Sequence, residues 1–200
     1  MVQFLVFELK GFLFHWQPID CIQAFTKDPK VQVKLQQYVL NHCDWMDLNR
    51  GTALLAESIP KFAARVDLPE YQITAFIEQL QDSLKPIQKS ILLLNELKPH
   101  FDLYYVDDLC APFFEHLNET YNLSALFNGG LISSEIQNIR PESDFYDQLL
   151  SRYQLNQRSG FLIESNINHI ETMSEQGWVT WHFNLMDNFS YQKLRSRLLN

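Results

Sequence analysis

The sequence predicts an α/β protein: a doubly wound, Rossmann-like parallel sheet with a small α-helical cap subdomain inserted after the first strand. Three observations carry this. Short β-prone runs at 2–7 (VQFLVF), 103–107 (LYYVD), 160–164 (GFLIE) and 178–183 (WVTWHF) alternate with segments of helical spacing. From Pro18 to about Leu84 the spacing is helical throughout. Acids follow three of the strands: Glu8, Asp107-Asp108 and Glu164. Strand alternating with helix gives a parallel sheet covered on both faces.

Within the insert, VQVKLQQYVLNH, LLAESIPKFAARV and YQITAFIEQLQDSL each repeat apolar residues three and four apart. In the Asn49-Arg50-Gly51-Thr52 stretch, Gly51 is expected to end one helix and Thr52 to cap the next. Pro60 is expected to kink or split its helix, because it lacks an N–H to donate. After Pro86 come a helix over IQKSILLLNELK, the second strand and a helix over APFFEHLNETY. A Gly129-Gly130 turn with a short extended piece (LISSEI) and a helix over DFYDQLLSRY follow. The strand at 160–164, a helix through Met173 and the strand at 178–183 complete the core, and FSYQKLRSRLL reads as an amphipathic basic helix docked on it. The domains are therefore 1–15 with 86–200 as the core, and 16–85 as the cap.

The chain has 200 residues, 46% hydrophobic and 20% charged, enough for a substantial core. A net charge of −8 and a pI near 5.2 exclude broad contact with nucleic acid or anionic lipid, which a negative surface repels. Cys21, Cys43 and Cys110 are odd in number and lack CxxC spacing, so reduced thiols and a cytoplasmic setting are expected. The N-terminus has no basic segment, and Glu8 and Lys10 interrupt its apolar run, so no secretory signal is read there. No apolar run is long enough to span a membrane, and no Walker A or GxGxxG sequence marks a nucleotide site.

In open parallel sheets, ligands bind beyond the carboxyl ends of the strands. Glu8, Asp107, Asp108 and Glu164 stand at such ends and are expected to converge on one crevice. The alternative is that they are independent, solvated charges. His15, His42 and His169 lack a second ligand at helical spacing, and His42-Cys43 reads as cap packing rather than a thiol catalyst. Phe12, Phe14 and Trp16 read as core and cap packing, with a specificity pocket or partner surface as the alternative.

In this order and spacing, the motifs resemble the haloacid dehalogenase-like (HAD) superfamily, in its branch with a small helical cap. That branch includes 2-haloacid dehalogenases, sugar-phosphate phosphatases and the amino-terminal domain of some epoxide hydrolases. VFELKGFLFHWQP resembles the first motif, and DWMDLNRGTALLAESI the cap segment. LYYVDDLCAPFFEHL resembles the second motif, FNGGLISSEIQNIRP the approach to the third, and GFLIESNINHIETMSEQGWVTWHF the fourth with its closing strand. The resemblance implies a hydrolase fold in which an aspartate attacks phosphorus or carbon and a Ser or Thr hydroxyl holds the transferring group. A lysine neutralises charge, and acids hold Mg²⁺ in the phosphatases.

This sequence departs from that set at nearly every reacting position. Glu8 stands at the nucleophile position, Lys10 two residues later, and Asp107 at the hydroxyl position, followed by Asp108. Arg140 replaces the lysine, and Glu164 with Ser165 replaces the metal acids. An ionised Asp107 about 4 Å from a phosphoryl oxygen repels it by on the order of 4 kcal/mol at an effective dielectric near 20. The expectation is an eroded catalytic site in which Glu8, Asp107 and Glu164 face Lys10 and Arg140 as an ion-pair cluster, with Asp108 solvated at the rim. Asp108 and Ser165 are the candidate ligand-binding residues, and the expected ligand is a small molecule or a protein partner in the cap–core cleft. No cofactor is expected. The alternative is an active phosphatase or dehalogenase-like hydrolase using Glu8 as nucleophile, with Glu8 and Glu164 holding Mg²⁺ if it is a phosphatase. Monomer and homodimer both fit.

Overall fold

A computed structural model describes residues 2–199. Five strands form one parallel sheet: β1 Phe4–Glu8, β2 Asp102–Asp107, β3 Gly129–Ile132, β4 Gly160–Glu164 and β5 Val179–His182, in the order β3-β2-β1-β4-β5. The chain leaves β1 in one direction for β2 and β3, then returns to its other side for β4 and β5. The switch point therefore lies between β1 and β4, where such sheets open a crevice.

β1 is buried along its whole length because it is covered on both faces. Leu5 and Phe7 enter one apolar cluster with Leu103, Phe161 and Phe183. Phe4 and Val6 enter the other, with Tyr146, Leu162 and Trp178. This is the period-two alternation of a strand, with apolar side chains on both sides.

Helices α1 Pro18–Phe25, α2 Pro29–Leu35, α3 Cys43–Arg50, α4 Leu55–Val66 and α5 Glu70–Asp82 lie between β1 and α6 Gln88–Leu97. A π-helical turn, Gln36–Leu40, extends α2. The chain enters and leaves this segment side by side, bridged at Phe14 and Pro86: the His15 N–H donates to the Lys85 carbonyl at 2.9 Å and the Ile87 N–H to the Leu13 carbonyl at 2.8 Å. Leu35, Val39, Phe62 and Phe76 of the segment belong to the same apolar cluster as Leu93 and Phe113 of the sheet's own helices. The remaining helices are α7 Ala111–Tyr121, α8 Ser133–Ile136, α9 Ser143–Tyr153, α10 Ile167–Glu175 and α11 Ser190–Leu199.

The end of α3 is fastened to α8. The Ser133 hydroxyl donates to the Asn49 carbonyl at 2.5 Å and accepts from the Leu109 N–H at 3.0 Å. The Asn49 side-chain oxygen accepts from the Cys110 N–H, and Arg50 grips Glu142 through two bonds of 2.8 and 2.9 Å. Gly51 closes α3 in the left-handed conformation, with φ +83°, and any Cβ there would run into the Ser134 backbone.

Three local expectations are corrected. Pro60 does not split α4, which runs unbroken across it. The carbonyl its missing N–H leaves unpaired belongs to Ala56, which is exposed to solvent, while Phe62 and Val66 anchor the helix in the core. Thr52 does not cap the next helix: its hydroxyl donates to the Asp47 carbonyl, and Leu54 holds the N-cap position of α4. The Gly129-Gly130 pair is not a turn but the start of β3, and Ser133–Ile136 of the expected extended piece is helical. Glycine is required there because two aromatic rings cross the strand; a Cβ on Gly130 would lie 2.3 Å from the Tyr105 ring, and one on Gly129 2.5 Å from that of Tyr153.

Gly130→Ala is expected to destabilise the fold by about 1–3 kcal/mol through overpacking, read as a lower urea midpoint. Combining it with Tyr105→Leu, which removes the blocking ring, is expected to cost less than the sum of the two single changes.

Candidate functional site

The three strand-end acids come together as the sheet order requires. Glu8, Asp107 and Glu164 are the last residues of β1, β2 and β4, which are neighbours in the sheet. Each is almost wholly buried: Glu8 is 4% exposed, and Asp107 and Glu164 are 0%. The reading of independent solvated charges is therefore corrected.

Arg140, itself buried, is the hub. Its Nη1 donates to Glu164 Oε1 at 2.8 Å, its Nη2 to Asp107 Oδ1 at 3.2 Å and its Nε to Asp108 Oδ2 at 3.2 Å. Its backbone N–H donates to Asp108 Oδ1 at 3.0 Å. Asp108 is thus not solvated at the rim but tied to Arg140 by both oxygens. Burial opposes the charge on Arg140, yet Asp108, Glu164 and Asp107 outweigh it and hold the guanidinium well above its usual range.

Lys10 is brought in by the turn that follows β1. The Gly11 N–H donates to the Phe14 carbonyl at 2.9 Å, and Gly11 takes φ +91°; a side chain there would strike Ser165 Oγ and Glu8 Oε1. The turn aims the Lys10 N–H at Asp107 Oδ2, 2.5 Å away. The Lys10 ammonium donates to the Asp108 carbonyl at 2.7 Å and lies 3.4 Å from Asp107 Oδ1. Its partners are the acids of β2 rather than Glu8 or Glu164.

Glu8 stands apart electrostatically. Its Oε1 accepts from the Ser165 N–H at 2.6 Å. Burial and the Glu164 charge push its pKa up to about 8, against a downward pull from Arg140 and Ser165. Glu164 goes the other way. Burial raises it, but Arg140 and His169 outweigh burial, and its carboxyl is held below the ordinary range. The Tyr146 hydroxyl donates to Glu164 Oε1 at 2.7 Å, and His169 Nδ1 lies 2.8 Å from Oε2. Sequence reasoning missed Tyr146 as a member of this cluster and set His169 aside. The only pointer to His169 was its position five residues after Glu164, at the start of α10.

Asp107, Asp108 and Glu164 face cations and hydrogen-bond donors rather than the open, near-octahedral oxygen array that Mg²⁺ requires, and of the Glu8 oxygens Oε1 is held by the Ser165 N–H. Both oxygens of Glu164, Asp107 and Asp108 already accept bonds from Arg140, Lys10, Tyr146 or a backbone N–H, or lie against His169. Ser165 supplies no charge. Among the described residues, no buried side-chain nitrogen or oxygen is left without a partner.

The ligand atoms of His42, Cys43 and Asp44 also lie within 4.8 Å of one another. The Arg65 guanidinium occupies that position, 3.3 Å from His42 Nδ1 and 2.6 Å from Asp44 Oδ2. Cys43 is exposed, so the packing expected of it is corrected.

Superposition on solved structures decides the fold. The chain has the haloacid dehalogenase-like fold. A HAD-family enzyme from Bacteroides thetaiotaomicron, solved with magnesium and inorganic phosphate, superposes with a TM-score of 0.79 at 16% identity, covering 96% of this chain and 99% of that one. The L-2-haloacid dehalogenase of Xanthobacter autotrophicus superposes with a TM-score of 0.71 at 15% identity, covering 98% and 83%. In sequence, the chain is 25% identical over 179 residues to the sesquiterpene phosphatase astK of Aspergillus oryzae, covering 88% of this chain and 87% of that protein. No family model matches the chain. Among the described residues, no helix is long and apolar enough to cross a membrane.

Glu8 titration sets a pH signature for this site. Between its ordinary pKa of 4.5 and about 8, the folded chain holds a proton that the unfolded chain releases, so the Glu8 contribution to stability falls as pH rises through that window. Glu8→Gln keeps an oxygen for the Ser165 N–H and cannot ionise. Urea unfolding is expected to find the variant close to the parent at pH 5 and clearly more stable than it at pH 9. Arg140→Met leaves buried acids without their cation and is expected to lose about 3–5 kcal/mol at pH 7 by the same assay.

Proposed function

We propose that this is a HAD-fold protein whose strand-end site has become an internal ion-pair network with little or no phosphohydrolase activity, and that it binds a small ligand in the cleft between insert and core. The single observation that carries the reading is the Arg140 guanidinium bridging Asp107, Asp108 and Glu164, with the Lys10 ammonium beside Asp107 as a second cation. Fixed cations within the chain supply the neutralising charge that a divalent ion supplies in the phosphatases. An incoming phosphoryl group would meet Asp107 at the position where the family pattern has a hydroxyl. Glu8, held protonated up to about pH 8, is a poor nucleophile at neutral pH. In this reading 16–85 is the cap, 1–15 and 86–200 are the core, and the protein works in the cytoplasm.

The second reading is an active hydrolase, favoured by the 25% identity to a protein named as a sesquiterpene phosphatase. The discriminating experiment is turnover of para-nitrophenyl phosphate and 2-chloropropionate by the purified chain, with and without Mg²⁺. No turnover above a heat-inactivated control is expected, and calorimetry with Mg²⁺ is expected to show no binding. Turnover that Glu8→Gln abolishes overturns the proposal.

A further inference from the structure

A cavity of about 380 Å³ opens beside the ion-pair network, where the turn after β1 faces the segments following β4 and β5. Its size lies within the range that holds small organic ligands. Gly11, Trp16, Ser165, His182, Leu185 and Met186 line it. The geometry points to an uncharged, oxygen-bearing hydrocarbon, such as a long-chain or terpenoid alcohol, as the ligand of this cavity. The inference names the ligand class of the proposed site and rests on that reading.

Charge is excluded in both directions. Among the described residues lining the cavity there is no carboxylate, ammonium or guanidinium, and the titratable groups are the imidazoles of His15 and His182. A cationic ligand finds no counter-charge. For an anionic one the Lys10 ammonium, 5.1 Å from the Trp16 ring centre, is already held by the Asp108 carbonyl and Asp107. Buried Asp107 and Glu164 lie behind it and repel an anion.

Apolar surface is supplied by Trp16, Leu185 and Met186, the last 85% exposed and free to fold over a ligand. Ser165 is one of several polar groups in the lining, with His15, Gln17, His182 and Asn184, and the one next to the ion-pair network. Its N–H is spent on Glu8, and its carbonyl lies 3.0 Å from His182 Nε2, which fixes the segment in place. Its hydroxyl stands against Gly11, where any Cβ would come within 2.6 Å of Oγ and close this end of the cavity. A hydroxyl or carbonyl oxygen at Ser165, with a hydrocarbon body across Trp16, Leu185 and Met186, matches the apolar wall and this polar end, and the uncharged amides of Gln17 and Asn184 line the rest.

The test is calorimetric titration of the intact chain with farnesol and, separately, with farnesyl phosphate, while released phosphate is assayed in the second. Farnesol is expected to bind at least tenfold tighter than its phosphate ester. Met186→Asp, an exposed change, is expected to weaken farnesol at least tenfold with the melting temperature unchanged, and Ser165→Ala to weaken it less. Equal or tighter binding of the ester, no binding of the alcohol, or indifference to Met186→Asp overturns the inference. Phosphate release would overturn the non-hydrolysing reading alone, because the alcohol's affinity and its response to Met186→Asp are scored independently.

Discussion

The arrangement at the sheet's carboxyl end depends on one buried cation. Arg140 reaches Asp107 at the end of β2, Asp108 just beyond it and Glu164 of β4, so a single planar group spans the central strand carrying Glu8. Acids this deeply buried persist only when paired and hydrogen-bonded, and a guanidinium has the donors in a fixed fork to serve several at once. Lysine at this position would present one compact charge and could not hold three carboxylates in the same geometry. Arg140 and Asp107 therefore depend on each other, each neutralising the other's charge in the buried site.

The network also divides the labour among its acids. Glu164, against Arg140, His169 and Tyr146, is held ionised. Glu8, with only a backbone N–H in direct contact and Glu164 nearby, is driven toward its neutral form. Environments that push two neighbouring carboxyls apart are a hallmark of acid–base sites, but they arise equally in structural ion clusters. Here Asp107, Asp108 and Glu164 each have both oxygens against a donor or a cation.

The convergence of Glu8, Asp107 and Glu164 was legible because strand-end acids in a parallel sheet have one place to go. The choice of partners was not. Lys10 sits two residues from Glu8 in sequence, yet the turn made possible by Gly11 swings it to β2, and nothing in a linear pattern encodes that swing. Tyr146 lies on an amphipathic helix as an ordinary core aromatic, and only the three-dimensional packing reveals that its hydroxyl finds Glu164. Local rules failed where tertiary contacts outweighed them. Pro60 was absorbed because its helix is anchored elsewhere, and the glycine pair at 129–130 answers to two tyrosine rings rather than to a turn.

The join between α3 and α8 bears on how the insertion can move. Asn49 and Ser133 are buried and share their polar groups with the Leu109 and Cys110 amides, just beyond the end of β2 and its Asp107. Lifting α3 would strip these groups of their partners at one stroke, while also undoing the Arg50–Glu142 clasp. The helical insertion is thus latched rather than hinged at this corner.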